Sequence, residues 1–186
     1  MSLSVTKIKS TKTDKELFEL ISSELNARIP EAVRGDDEAL LQALRRLPRG
    51  LRAMAAIHTL DVSVALDDLA WHFYNNHNLD LADETLWGLR ELGASEGAKI
   101  FEQAIALVEP HWWKIGELIE QAREKDSSAA FIEWCDSSGL EAAMLPLDKR
   151  LWEICASSPG NSLLSYWTSY ARKFPERLVE EESCPH

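Results

Sequence analysis

The chain has 186 residues, of which 45% are apolar and seven are Trp, enough for one domain with a sizeable core. Asp and Glu number 31 against 20 Lys and Arg, so the formal net charge is −11. This balance argues against a nucleic-acid binder, because phosphate contacts need clustered Lys and Arg, but it permits a basic protein partner. It is equally typical of acidic domains whose net charge serves only solubility.

The cysteines and the hydropathy predict a soluble, cytoplasmic protein. Cys135, Cys155 and Cys184 are an odd number without Cys-x-x-Cys spacing, which is typical of reduced thiols. The first residues contain no apolar run of the kind found in a signal peptide. No segment approaches the roughly 18 consecutive apolar residues that a membrane-spanning helix requires.

The N-terminal third predicts an arm followed by two helices. Residues 1–12 are polar and basic, and we predict a flexible arm there, either frayed or ordered only on contact. Apolar residues at three- and four-residue spacing then indicate a helix from about Asp14, which Pro30 ends. The next helix begins after Asp37 and ends before Pro48.

The middle of the chain begins with the longest apolar helical pattern, from Leu51 to Asn75. This pattern predicts either one long helix or two helices joined by a kink between Asp61 and Asp68. A turn at Asn75–Asn78 follows, because Asn tolerates left-handed backbone better than most residues.

An acidic helix is predicted from Asp80 to Leu92, with Gly93 as its left-handed cap. The helices predicted after it are Ser95 to Glu109, Trp112 to Lys125, a short helix closed by Gly139, one from Asp148 to about Ala156 after a loop at Pro146, and a last one ending before Pro175. Residues 179–186 are predicted to be a disordered acidic tail.

The fold class follows from these segments together. None shows the apolar–polar alternation of a half-buried strand, and no repeat or long linker divides the chain. We predict an all-α protein whose residues 13–178 form a single-domain bundle of about eight helices.

The search for catalytic chemistry gives no site. His72 and His77 are five residues apart, about 140° around a helix, which does not suit a zinc pair. The adjacent Asp67 and Asp68 diverge by about 100° on a helix. The segment 93–99 resembles a phosphate loop only faintly and lacks its Gly-Lys-Ser/Thr ending. The sequence therefore favours a non-enzymatic protein, with no catalytic residues, cofactor or metal.

The distribution of charge points instead to a basic partner. Residues 61–110 contain ten Asp and Glu against only Arg90 and Lys99, so this quarter of the chain carries most of the net charge. Such acids can present a row comparable to the charges of duplex DNA, which are spaced about 1.7 Å along its axis. The predicted partner contacts are Asp67, Asp68, Asp80, Asp83, Glu84 and Glu91. A solvated helical surface with capping carboxylates is the simpler alternative.

A second functional hypothesis is a small-molecule or peptide pocket, with or without enzymatic activity. Aromatic and imidazole side chains are densest at the end of the long apolar pattern. The residues that would line such a pocket are Trp71, His72, Tyr74, Asn75 and His77. Plain core packing would account for the same aromatic residues.

Two short motifs carry a resemblance to a known family. Phe73-Tyr74-Asn75, followed by Leu92-Gly93-Ala94, resembles a bacterial family built on a domain of unknown function, one of whose members is a DNA-mimic protein. Weaker matches lie at Leu147–Trp152 and at Tyr170–Arg172, so that the resemblance extends over about residues 51–178.

The resemblance implies an all-helical domain and, for the DNA-mimic type, a dimer that occupies the DNA-binding surface of a transcription factor. It implies no catalytic residue. The chain departs from the family pattern at four positions: Asp67 and Asp68 replace a glycine pair, Leu69 a Phe and Trp71 a Gln.

Overall fold

The computed structural model describes residues 3–33, 35–158 and 162–180, and in these residues the fold is all-α. The eleven α-helices of the described chain are α1 (Val5–Ser10), α2 (Asp14–Arg28), α3 (Asp37–Arg45), α4 (Arg49–Leu66), α5 (Leu69–Asn75), α6 (Leu79–Glu91), α7 (Ser95–Val108), α8 (Trp112–Lys125), α9 (Ala129–Ser138), α10 (Leu140–Ser157) and α11 (Ser165–Lys173). Short 3-10 helices follow α2, α7 and α11. None of the helices described is long and apolar enough to span a bilayer.

Helix α4 lies at the centre of the core and packs along α6. The two helices are antiparallel, since Arg49 pairs with Glu91 whereas Ala56, further along α4, accepts a hydrogen bond from Thr85. Gly88 allows their backbones to approach closely: a Cβ atom on it would lie 2.8 Å from the carbonyl oxygen of Ala53.

The remaining helices surround this pair. Helices α2, α3, α5 and α11 contact α4, and α7 packs between α6 and α10. The side chains of Phe73 on α5 and Phe101 on α7 are fully buried and stacked, with 5.5 Å between ring centroids. One apolar core therefore connects helices from both ends of the described chain.

The long apolar pattern forms two helices, and the break lies at Asp67 and Asp68. Asp68 caps α5 by accepting a hydrogen bond from the backbone N–H of Trp71 (2.9 Å). Asp148 of α10 accepts from the N–H of Leu69 (2.8 Å). These two carboxylates satisfy backbone donors that a continuous helix would have paired internally.

Part of the arm predicted for residues 1–12 is helical in the structure. Residues 5–10 form α1, capped by Ser4, and Leu3 and Ile8 are buried in the core. Arg172 of α11 fixes the end of the arm by donating to the carbonyl oxygen of Thr11 (2.8 Å). Val5 and Ile8 are the apolar residues of α1, too few to establish a helical period in the sequence.

The loop predicted around Pro146 is also wrong, because α10 runs through it. Buried residues recur at three- and four-residue spacing on both sides of the proline, which itself is exposed. Burial of this apolar face outweighs the roughly 3 kcal/mol that an interior proline costs a helix. Residues 181–186 of the predicted tail lie outside the described residues, and the single domain at 13–178 stays a prediction.

The α4–α6 contact gives a stability prediction. We expect Gly88→Ala to lower the free energy of unfolding by about 1–3 kcal/mol, because the added methyl group meets the Ala53 carbonyl and the Ile57 side chain. Urea-induced unfolding measures the change.

Gly97→Ala in α7 is the matched control. A Cβ there would lie 3.7 Å from the nearest atom, on Leu89, which is an ordinary contact. We expect this substitution to be neutral or to stabilise by up to about 1 kcal/mol through helix propensity. Equal effects of the two substitutions would contradict the close approach of α4 and α6.

Candidate functional site

Glu84, one of the six predicted partner contacts, is buried on α6 with 3% of its side chain exposed. Both of its oxygens accept hydrogen bonds from Arg52 of α4, and the Arg52 guanidinium also lies over the Trp87 ring at 4.5 Å. Arg45 of α3 approaches the same carboxylate at 3.8 Å. The charge of Glu84 is therefore balanced inside the protein.

Glu91, another predicted contact, is held in a similar way at the end of α6. Its side chain is 7% exposed and pairs with Arg49 (2.6 Å) and Arg177 (2.8 Å), and Tyr170 donates its hydroxyl to the same carboxylate. Burial alone would raise the pKa of Glu91, but the hydrogen bonds from Arg49 and Tyr170 outweigh it and lower that pKa below its usual value. This carboxylate is ionised and internally satisfied.

The other four predicted contacts remain on the protein surface and fall into two places. Asp80 and Asp83 are exposed on the first turns of α6. Arg45 is the cation near them, 3.9 Å from the Asp80 carboxylate. Asp67 is exposed and Asp68 half-buried at the break between α4 and α5.

The break between α4 and α5 is lined by further acids. A groove of about 440 Å³ contains Asp67, Asp148 and Glu153 together with Lys149 and the largely exposed Trp152. Burial raises the pKa of Asp148 to about 6, against the opposing hydrogen bond from the backbone N–H of Leu69. Three carboxylates against one lysine make the groove acidic at neutral pH.

The aromatic and histidine cluster does not form one pocket. Trp71 packs edge-on against Phe131, with 5.1 Å between centroids. His72 is 2% exposed, and its Nδ1 lies 2.9 Å from the hydroxyl of Ser63. That hydroxyl is also 3.0 Å from the carbonyl oxygen of Thr59, to which it donates, so we assign the ring proton of His72 to Nδ1.

Tyr74, Asn75 and His77 instead line a large cleft of about 1360 Å³. The walls of the cleft come from α2, the start of α3, α4, the turn after α5 and α8. The His77 ring stacks on Trp112 at 4.2 Å between centroids, and its Nε2 lies 2.9 Å from the Trp112 carbonyl oxygen. The hypothetical pocket residues are thus divided between core and cleft.

Several residues that line the cleft are not predicted as site residues from the sequence. Asp36 caps α3 by accepting from the backbone N–H of Ala39 (3.0 Å), and Asp37 is the first residue of that helix. Trp167 of α11 also lines the cleft. No local pattern indicates that these segments line the same cleft as His77, since they are far apart in the chain.

The chemistry available to the described side chains is limited. Among the residues that the structure places, no group of three His, Cys, Asp or Glu side chains is arranged to bind a metal ion. Cys135 and Cys155 are buried, and burial raises the pKa of each thiol to about 11. Both are therefore uncharged thiols at neutral pH and weak nucleophiles. Cys184 lies outside the described residues.

Comparison with known proteins identifies a family. A family model described as DMP19-like protein matches residues 45–172, well over half of the chain. The match confirms the resemblance to a family that includes a DNA-mimic protein. It begins at the end of α3 and leaves out α1, α2 and most of α3. The comparisons with curated proteins and with solved structures gave no match.

The Arg52–Glu84 pair predicts a strong asymmetry between single and double substitutions. Arg52→Met should lower the free energy of unfolding by about 3 kcal/mol, because it leaves a buried carboxylate without its main partner. Arg52→Met combined with Glu84→Met should cost much less, since both buried charges are gone. A double-mutant cycle by urea unfolding measures the coupling. A cost below about 1 kcal/mol for Arg52→Met would contradict the burial of Glu84, and would mean that its carboxylate is accessible to solvent.

Burial of His72 predicts an acid-dependent loss of stability. Desolvation lowers its pKa from 6.5 to about 4, so the ring is neutral in the folded protein. In the unfolded chain the His72 ring binds a proton more readily than in the folded protein. The contribution of this group to the free energy of unfolding should therefore fall by about 3 kcal/mol as the pH drops from 6.5 towards 4. Urea unfolding at pH 7 and pH 4 measures this loss of free energy of unfolding, which should be smaller for His72→Leu than for the wild-type protein.

Proposed function

Because the chain belongs to the DMP19-like protein family, we propose that it is a non-enzymatic interaction module that binds a basic protein as a mimic of DNA. The partner class is a DNA-binding protein such as a transcription factor. A cytoplasmic location and a homodimer are part of the proposal. The family match supports the class of function, and the exposed aspartates support the type of partner.

The proposed contact surface consists of Asp67, Asp68, Asp80 and Asp83. These side chains are exposed or half-buried and carry four negative charges. Glu84 and Glu91 are excluded from the surface because arginines inside the protein already bind them. Their role in the proposal is to hold α6 against its neighbours, so that Asp80 and Asp83 are presented on a rigid helix.

Electrostatics decides how such a surface would bind. The exposed carboxylates lose little solvation in the free protein, so they remain available to the guanidinium and ammonium groups of a partner. Complementary charge accelerates association and selects basic partners more than it raises affinity. Binding should therefore weaken steeply with salt, because exposed charges are screened over about 8 Å at physiological ionic strength.

The decisive variant neutralises the four aspartates together. Asp67→Asn, Asp68→Asn, Asp80→Asn and Asp83→Asn change no side-chain size, and Asn at position 68 keeps the capping oxygen for α5. We expect the immobilised wild-type protein to capture basic DNA-binding proteins from lysate at low salt, and the variant to lose them. Mass spectrometry identifies the captured proteins, and added duplex DNA should displace them.

The matched control removes four exposed charges elsewhere, with Glu19→Gln, Glu133→Gln, Glu141→Gln and Glu176→Gln. It has the same net charge as the aspartate variant and should retain the partners. Equal loss of binding in both variants would reduce the interaction to overall charge. Partners that resist both salt and duplex DNA would contradict the mimic function.

A further inference from the structure

The groove at the α4–α5 break combines exposed apolar side chains with acids. Trp152 of α10, which lines the groove together with Val64, is 63% exposed. Leu66, which directly precedes Asp67 in the chain, is 75% exposed. Acids that served only solubility would not need large apolar side chains beside them, whereas exposed apolar groups rimmed by polar ones are typical of interaction sites.

The carboxylates of the groove are not neutralised within the described chain. Asp67 pairs with no Lys, Arg or His among the described residues. Asp148 uses Oδ1 to accept from the backbone N–H of Leu69, and its Oδ2 accepts from no donor that the structure places. Together with Glu153, these acids outnumber Lys149, the one Lys or Arg described in the lining. The groove is therefore complementary in charge to a basic side chain.

The same chain already holds a guanidinium with this combination of groups. The Arg52 guanidinium lies 4.5 Å from the centroid of the Trp87 ring and donates to Glu84, which is three residues before Trp87 on α6. Asp148 and Trp152 are four residues apart on α10, so a carboxylate and an indole again lie on adjacent turns of one helix face. Among the residues that the structure places, no Lys or Arg lies over the Trp152 ring.

We propose that this groove binds an arginine side chain of a basic protein partner, with the guanidinium stacked on Trp152 and paired with Asp67 and Asp148. The inference deepens the proposed function and rests on it for the class of partner. Arginine fits better than lysine, because its planar guanidinium can stack on an indole while its N–H groups donate to carboxylates at the edge of the ring. Trp side chains that become buried in a complex commonly contribute much of the binding energy.

Nuclear magnetic resonance of the full chain tests the site with a terminally blocked Gly-Arg-Gly tripeptide at neutral pH. The ¹H–¹⁵N indole signal of Trp152, assigned by its loss in Trp152→Leu, should move as peptide is added. The shift should saturate with a Kd on the order of 10 mM, because a single exposed contact of this kind is weak. Trp113, which is 68% exposed on α8, provides the control within the same spectrum, and its indole signal should stay in place.

Changes in the peptide and in the groove define the chemistry of binding. The citrulline analogue, which has the same shape without charge, should leave the signal in place, and the lysine analogue should bind about threefold more weakly. Asp67→Asn should weaken binding of the arginine peptide about threefold, whereas Lys149→Gln should strengthen it about twofold by removing a competing cation. An unmoved Trp152 signal, equal binding of the citrulline or lysine peptide, or an equal shift at Trp113 would each overturn the inference.

Capture of partners from lysate separates this inference from the proposed function. Trp152→Leu retains all four aspartates of the proposed surface and should capture about tenfold less of the basic protein, whereas Trp113→Leu, the matched control, should capture it normally. Full capture by Trp152→Leu, together with loss by the aspartate variant, would reject the arginine site and leave the proposed function standing. A shifted Trp152 signal in a chain that captures no DNA-binding protein would reject the proposed function and leave the arginine site standing. Correct folding of each variant is checked by the dispersion of the same spectra.

Discussion

The close contact between α4 and α6 is the constraint on which the rest of the structure depends. Gly88 brings the two backbones together, and a buried carboxylate on one helix meets an arginine on the other. Buried carboxylates are tolerated only when paired, so Glu84 and Arg52 fix the register of the two helices. The helices on either side, α3 and α7, take their positions from this pair.

This arrangement divides the acidic residues into structural and exposed groups. The buried carboxylates of α6 are bound by arginines. The carboxylates on the exposed face of α6 and at the α4–α5 break point towards solvent instead. The formal net charge of −11 therefore overstates the negative charge that a partner would meet at any one part of the surface. What supports binding of a basic protein is the position of the remaining aspartates and the family to which the chain belongs.

Much of the fold is predictable from periodicity because the helices have long apolar faces. The bounds predicted for the helix at Trp112–Lys125 are those observed, and Gly93 has the left-handed backbone expected of its cap, with φ of 79°.

The predictions are wrong where tertiary burial outweighs local preference. Pro146 lies inside α10, and the N-terminal segment that contains α1 buries the side chains of Leu3 and Ile8 in the core. Of the motifs that carried the resemblance, Asp148 and Tyr170 make tertiary hydrogen bonds, to Leu69 and Glu91, that tie distant helices together.

The sequence by itself determined the helical class, the excess of acid between residues 61 and 110 and the family resemblance, because each depends on composition or on local order. Only the tertiary structure decided which acids are accessible and which aromatic residues meet. Glu84 and Asp83 are neighbours in the chain, yet one is buried against Arg52 and the other is exposed, since adjacent helical residues point about 100° apart. The cleft likewise joins α2 to α8 and α11 across most of the chain, and no local pattern records that long-range packing brings them together.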